Sequence, residues 1–128
     1  MKRGLNLLLV IALLTGCSTS AVISRYKMST DNVDVLRTLQ GKTINVGPFS
    51  SSQPGQNEIM CRGVRVIKTP DGEPFSQYIR AALVDDLNRA NVFSPIASVI
   101  LTGSLDHVGF PWDANKWELA LTVKSSNG

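Results

Sequence analysis

The stretch PFSQYIRAALVDDLNRAN, from Pro74 to Asn91, decides how the rest of the chain is read. Phe75, Tyr78, Ile79, Ala82, Leu83, Leu87 and Ala90 recur at the i, i+3, i+4, i+7 spacing that lines one side of a helix. Gln77, Arg80, Asp85, Asp86 and Arg89 fall largely on the other side. Asp71 or Glu73 followed by Pro74 suits the start, because proline's missing N–H costs nothing in a first helical turn. Asn91 suits the stop. A helix with one apolar face needs a surface to lie on, and its flanks supply strands.

Before the helix, Thr43 to Phe49 reads as a strand with Ile44 and Val46 on one face, closed by Gly47-Pro48. Ser50 to Asn57 is a loop. Met60 to Lys68 reads as a short strand weakened by Gly63, and Thr69-Pro70-Asp71-Gly72 ends it as a turn. After Pro95, Val99 to Phe110 forms a strand with Gly103 and Gly109 as candidate bulge positions. Trp117 to Lys124 alternates: Trp117, Leu119, Leu121 and Val123 face the core, while Glu118, Thr122 and Lys124 face away. Pro111 to Lys116 joins the two strands as a hairpin loop. The expectation is one α+β domain over residues 41–128, a small mixed or antiparallel sheet with one main helix packed on one face. Asn127-Gly128 has hairpin-turn chemistry, so a further strand is expected beyond it, and the domain would then lack its C-terminal strand.

The N-terminus carries a different signal. Lys2 and Arg3 precede an apolar run from Leu5 to Leu14, interrupted only by Asn6. About ten residues reach roughly half of a hydrocarbon core, too short for a permanent span. Leu14, Thr15, Gly16 and Cys17 then resemble the bacterial lipobox: a branched apolar residue, a small one, Gly or Ala, and an obligatory Cys. The resemblance implies a signal peptide over 1–16, cleavage between Gly16 and Cys17, and a diacylglyceryl group on the Cys17 thiol. Residues 17–40, with Ser18, Thr19, Ser20, Ser29 and Thr30, would be the lipidated N-terminus and a flexible tether, with a short helical turn over Asp34 to Leu39. In enterobacterial sorting an Asp after the lipidated Cys retains the protein in the inner membrane. Ser18 stands there, which implies the outer membrane, facing the periplasm.

Charge and cysteine usage narrow the function. The precursor has 13 basic and 10 acidic residues, and loss of Lys2 and Arg3 leaves a formal charge of +1. A near-neutral chain without a basic stripe gives no electrostatic case for nucleic acid. With Cys17 committed to lipid, Cys61 has no partner in this sequence. It is either a buried small hydrophobe or half of a disulfide to a cysteine elsewhere.

Candidate chemistry is sparse. Asp85 and Asp86 are neighbours on a helix and point about 100° apart, so they read as solvated and not as an acid–base pair. Asp106, His107 and Asp113 have no metal-ligand spacing, and the single His makes no catalytic pair. No nucleophile elbow, P-loop, dinucleotide fingerprint or zinc motif is present. No catalytic residue, cofactor or metal is therefore expected. Trp112 and Trp117 flank the hairpin loop: Trp117 is expected in the core, Trp112 as a candidate partner contact.

Gly41-Lys42-Thr43-Ile44-Asn45-Val46-Gly47-Pro48-Phe49 resembles the opening strand of bacterial envelope domains of the CsgG, LpoB and TolB-N-terminal type. Tyr78 to Leu83 with Ala90-Asn91-Val92-Phe93 is similar to their helix and its exit, with Asn91 where Gly is usual. Ile100 to Leu105 resembles their next strand. The similarity spans roughly residues 41–124 and implies an α/β or α+β sandwich with a non-enzymatic role. The reading is a membrane-anchored lipoprotein that binds or assembles other envelope proteins. The alternative is a small-ligand or lipid carrier, such as an auxiliary lipoprotein of a transport system. An apolar cavity on the sheet face opposite the helix would favour the carrier, a flat exposed patch a protein partner.

Overall fold

The computed structural model describes residues 20–39, 41–61, 63, 65–111 and 116–128. In chain order these form strand β1 (Ser20–Val22), helix α1 (Thr30–Arg37), strands β2 (Ile44–Ser51), β3 (Glu58–Cys61) and β4 (Arg65–Lys68), helix α2 (Phe75–Arg89), and strands β5 (Val99–Gly109) and β6 (Glu118–Ser125). The class is α+β, as the apolar periodicities require. The strands divide between two three-stranded sheets instead of forming one. The larger runs β2-β5-β6, with β2 parallel and β6 antiparallel to β5. The smaller runs β1-β4-β3, with β1 parallel and β3 antiparallel to β4.

The division has a local cause. The stretch read as one strand over Met60 to Lys68 folds back on itself, with Gly63 at a φ of 68° that a residue with a β-carbon rarely adopts. Glu58 then pairs with Lys68 and Cys61 with Arg65. The far side of β4 is taken by β1, so this hairpin builds its own sheet.

Helix α2 is the parallel crossover between β2 and β5. Its stop is a left-handed Asn91 (φ 60°), with Val92 N–H donating to the Leu87 carbonyl (3.0 Å) and Asn91 N–H to that of Asn88 (3.0 Å). That pattern is the Schellman motif, and its apolar partners Leu87 and Val92 are both buried. Leu87, Ala90 and Val92 join Val46 and Phe49 in one core, with Leu83 and Ile79 packed against it. Phe75, at the other end of the helix, joins Ile59, Leu105 and Val108 in a second core under the smaller sheet.

Strand β2 does not close at Gly47-Pro48. It runs to Ser51 through a register shift between Val46 and Phe49, where Pro48, lacking an N–H, is tolerated. Arg80 reaches from α2 to this irregularity, donating from Nε to the Gly47 carbonyl (2.8 Å) and from Nη2 to the Val46 carbonyl (2.8 Å). Its place on the nominally polar side of the helix is thus structural. Gly103 was expected as a bulge; instead it makes room for Phe49, whose ring a β-carbon there would overlap. The bulge in β5 falls between Leu105 and His107.

Two expectations are corrected near the N-terminus. Residues 20–39, read as tether, belong to the fold: β1 pairs with β4, and Val33 of α1 is buried in the first core. The reading missed β1 and caught α1 only as a short turn over Asp34 to Leu39, because β1 has only three residues and α1 turns little more than Val33 and Leu36 inward. Asp86, read as solvated beside Asp85, is 6 % exposed. It accepts a hydrogen bond from the Tyr26 hydroxyl (2.8 Å) and one from the Asn32 amide (3.4 Å), both on the same carboxylate oxygen. The carboxylate thereby ties the N-terminal segment to α2, and its other oxygen, Oδ1, has no partner among the described residues. Asp86→Ala is expected to destabilise the fold by about 1–3 kcal/mol, because it removes the buried, charged acceptor through which half-buried Tyr26 and exposed Asn32 hold the N-terminal segment to α2. Exposed Asp85→Ala should stay within about 0.5 kcal/mol. Thermal melts of the two variants distinguish them, and equal melts would contradict this placement of Asp86.

Candidate partner-binding groove

Helix α2 lies over β2 and β5, and β6 is the edge of the larger sheet. A helix is about 10 Å wide and strands sit about 4.8 Å apart, so one helix does not cover three strands. Leu121, in the middle of β6, still packs against both cores. Its neighbours on the same face are left open: Trp117 is 43 % exposed, Leu119 56 % and Val123 48 %. Trp117 is therefore not a core residue. The alternation of β6 is as expected, but among the described residues nothing covers the inward face of its ends.

Between this strip and α2 runs an open groove of about 250 Å³. Phe75, Ile79 and Val108 form its floor, and Ile23, Tyr78, Trp117 and Leu119 its walls. The Trp117 ring stands edge-on to Phe110, centroids 5.8 Å apart at 87°, which fixes its orientation. The Tyr78 hydroxyl donates to the Ser24 carbonyl (3.0 Å), so the ring is held by a bond that also anchors the segment after β1. Burial, then the negative charge of Glu73 and the neighbouring Tyr26, push the Tyr78 hydroxyl above its ordinary value, so it stays protonated at neutral pH. The groove is smaller than the roughly 300–1,000 Å³ typical of small-molecule pockets and is not enclosed. It suits an apolar side chain presented by a partner.

The face opposite the helix is polar. A shallow depression of about 290 Å³ is lined by Ser50, Thr102, Ser104, Thr122 and Lys124 together with Pro48. Asp106, at the β5 bulge, accepts hydrogen bonds from Ser104 (2.9 Å) and Thr122 (2.6 Å). Those two bonds, Thr122 first, hold its carboxyl below the ordinary carboxylate value. His107 lies beside it on the strand, with Nε2 3.6 Å from a Glu118 carboxylate oxygen. Asp113 lies outside the described residues. Among the described residues no group of three or more His, Cys, Asp or Glu side chains is placed to hold a metal.

Leu14, Thr15, Gly16, Cys17 and Trp112 also lie outside the described residues. Cys61 ends β3, half-buried, with a free thiol. Among the described residues no helix is long and apolar enough to cross a membrane. Comparison of the chain with protein-family models, curated proteins and solved structures finds no match. Ile23 and Tyr78, which sequence reading did not connect to Trp117, meet it only because β1 docks beside the start of α2. No local pattern signals that.

The Asp106 cluster makes a pH prediction. A carboxyl held low adds stability above its ordinary titration range, and that stability is lost as pH falls through the lowered folded value. Thr122→Val should move the Asp106 titration, followed by carboxyl NMR shifts, upward towards the ordinary value. An unmoved midpoint would show that the Thr122 hydroxyl does not hold the charge.

Proposed function

We propose that this chain is an envelope lipoprotein, anchored by lipid on Cys17 to the outer membrane and facing the periplasm, that binds or assembles other envelope proteins without enzymatic chemistry. The observation that carries the reading is the uncovered apolar strip of Trp117, Leu119 and Val123 beside the groove at Tyr78. Contiguous apolar surface rimmed by polar residues marks interaction sites, and aromatics are enriched among the residues that dominate such contacts. The lipobox-like run from Leu14 to Cys17 and the resemblance of residues 41–124 to envelope domains support the same reading. A carrier of small apolar ligands needs an enclosed cavity, and the groove is open and small.

A photo-crosslinking residue placed at Leu119 of the full chain, in intact envelopes, tests this. The expected result is an adduct with an envelope protein other than a second copy, absent when the same residue replaces exposed Gln77. Cys17→Ser should abolish both palmitate-analogue labelling and that adduct, since at least two acyl chains are needed for stable anchoring. Equal labelling of Cys17→Ser and wild type, or equal adducts from the two positions, would contradict the proposal.

A further inference from the structure

The free side of β6 has a pattern that the groove does not use. The other edge of the larger sheet is partly closed: Ile44 donates to the Val92 carbonyl (2.8 Å) and Ser94 donates to the Ile44 carbonyl (3.0 Å). Among the described residues nothing lies on the outer side of β6. Natural edge strands are blunted by proline, bulges of their own, inward-pointing charges or charged side chains, lysine above all, and of these β6 carries only Glu118 and Lys124, near its two ends. Glu118–Ser125, ELALTVKS, has no proline, and its inward residues are Leu119, Leu121 and Val123.

We infer that the edge of β6, beside which the turn chemistry of Asn127-Gly128 sets a further strand of the same chain, pairs instead antiparallel with β6 of a second copy, about a two-fold axis through Leu121. In that register Glu118 stands opposite Lys124 of the second copy, and Lys124 opposite its Glu118. Leu119 faces Val123, Leu121 faces Leu121, and Ala120 faces Thr122. Residues of equal parity oppose each other, so the apolar faces of both sheets stay on the same side and join into one surface. The charges select this register. Moving the axis to Ala120 sets Lys124 against Lys116 of the other copy, and moving it to Thr122 leaves Glu118 against Ser126 and Lys124 against Ala120. A shift of half a step would turn one apolar face to the opposite side. Lys124 makes no ion pair within its own chain among the described residues, so it is available. Each copy contributes the same patch, as a two-fold interface requires.

Sedimentation equilibrium of the full chain in density-matched mild detergent tests the pairing. The wild type should be a dimer. Glu118→Lys and Lys124→Glu, each placing like charges at both ends of the paired strands, should each raise the dimer dissociation constant about tenfold. An equimolar mixture of these two variants should regain tight association as a heterodimer, and the double exchange should behave as wild type. Hydrogen exchange needs no substitution: the amides of β6 that point away from β5 should be protected at high concentration and exchange freely on dilution. A monomeric wild type overturns the inference, including one whose β6 is covered by another segment of its own chain or by a different protein. So does a dimer indifferent to both substitutions, or a mixture that associates no better than its components.

Discussion

A single helix laid on three strands cannot reach the third, and much of this structure follows from that shortfall. The apolar side of α2 is long enough, from Phe75 to Ala90, to seal β2 and β5 and to reach from one core to the other. It is not wide enough to shelter β6. The chain closes the rest with small pieces. The β1-β4-β3 sheet sets Ile59 against Leu105 and Val108, with Ile67 beside it on β4 and Ile23, just after β1, packed against the same cluster. Helix α1 sets Val33 into the core beneath the other end of α2. What neither piece reaches is the inward face of β6, at Trp117, Leu119 and Val123.

Polar side chains on the outer flank of α2 hold these pieces in place. Arg80 donates to two carbonyls at the irregularity in β2, so that Gly47-Pro48 can sit inside a strand without leaving its neighbours' acceptors bare. Asp86 does the corresponding work for the N-terminal segment through Tyr26 and Asn32. Tyr78, from the same helix, binds the Ser24 carbonyl and so fixes one wall of the groove. The segment after β1 is therefore fastened to α2 through two side chains far apart on the helix.

The parts legible in the sequence were those with long, regular periodicity. Helix α2 and its stop at Asn91, strand β2 as far as Phe49, and the antiparallel pair β5–β6 all follow from spacing and turn chemistry. Asp86 and Arg80 were not legible, because a helical wheel sorts charged residues to the solvent side and cannot see a second segment arriving there. Strand β1 and the first turn of α1 were missed for the complementary reason, being too short and polar to announce elements that only tertiary contacts stabilise, and only a turn over Asp34 to Leu39 was legible there. Trp117 shows a third limit. Alternation along β6 correctly assigns its side of the sheet, but whether that side is covered depends on the width of a helix elsewhere in the chain.

An uncovered aromatic residue on the core side of an edge strand links the fold to the proposed role, since the surface that α2 leaves open is where a partner would seat. Fluorescence of Trp117 tests this most directly, in a full chain carrying Trp112→Phe so that Trp117 is the sole indole. Purified in mild detergent, the chain should show red-shifted emission quenched efficiently by acrylamide, and in reconstituted envelopes the quenching should fall. Blue-shifted emission shielded from acrylamide in the purified chain would mean that β6 is covered by the fold itself, and would contradict the account.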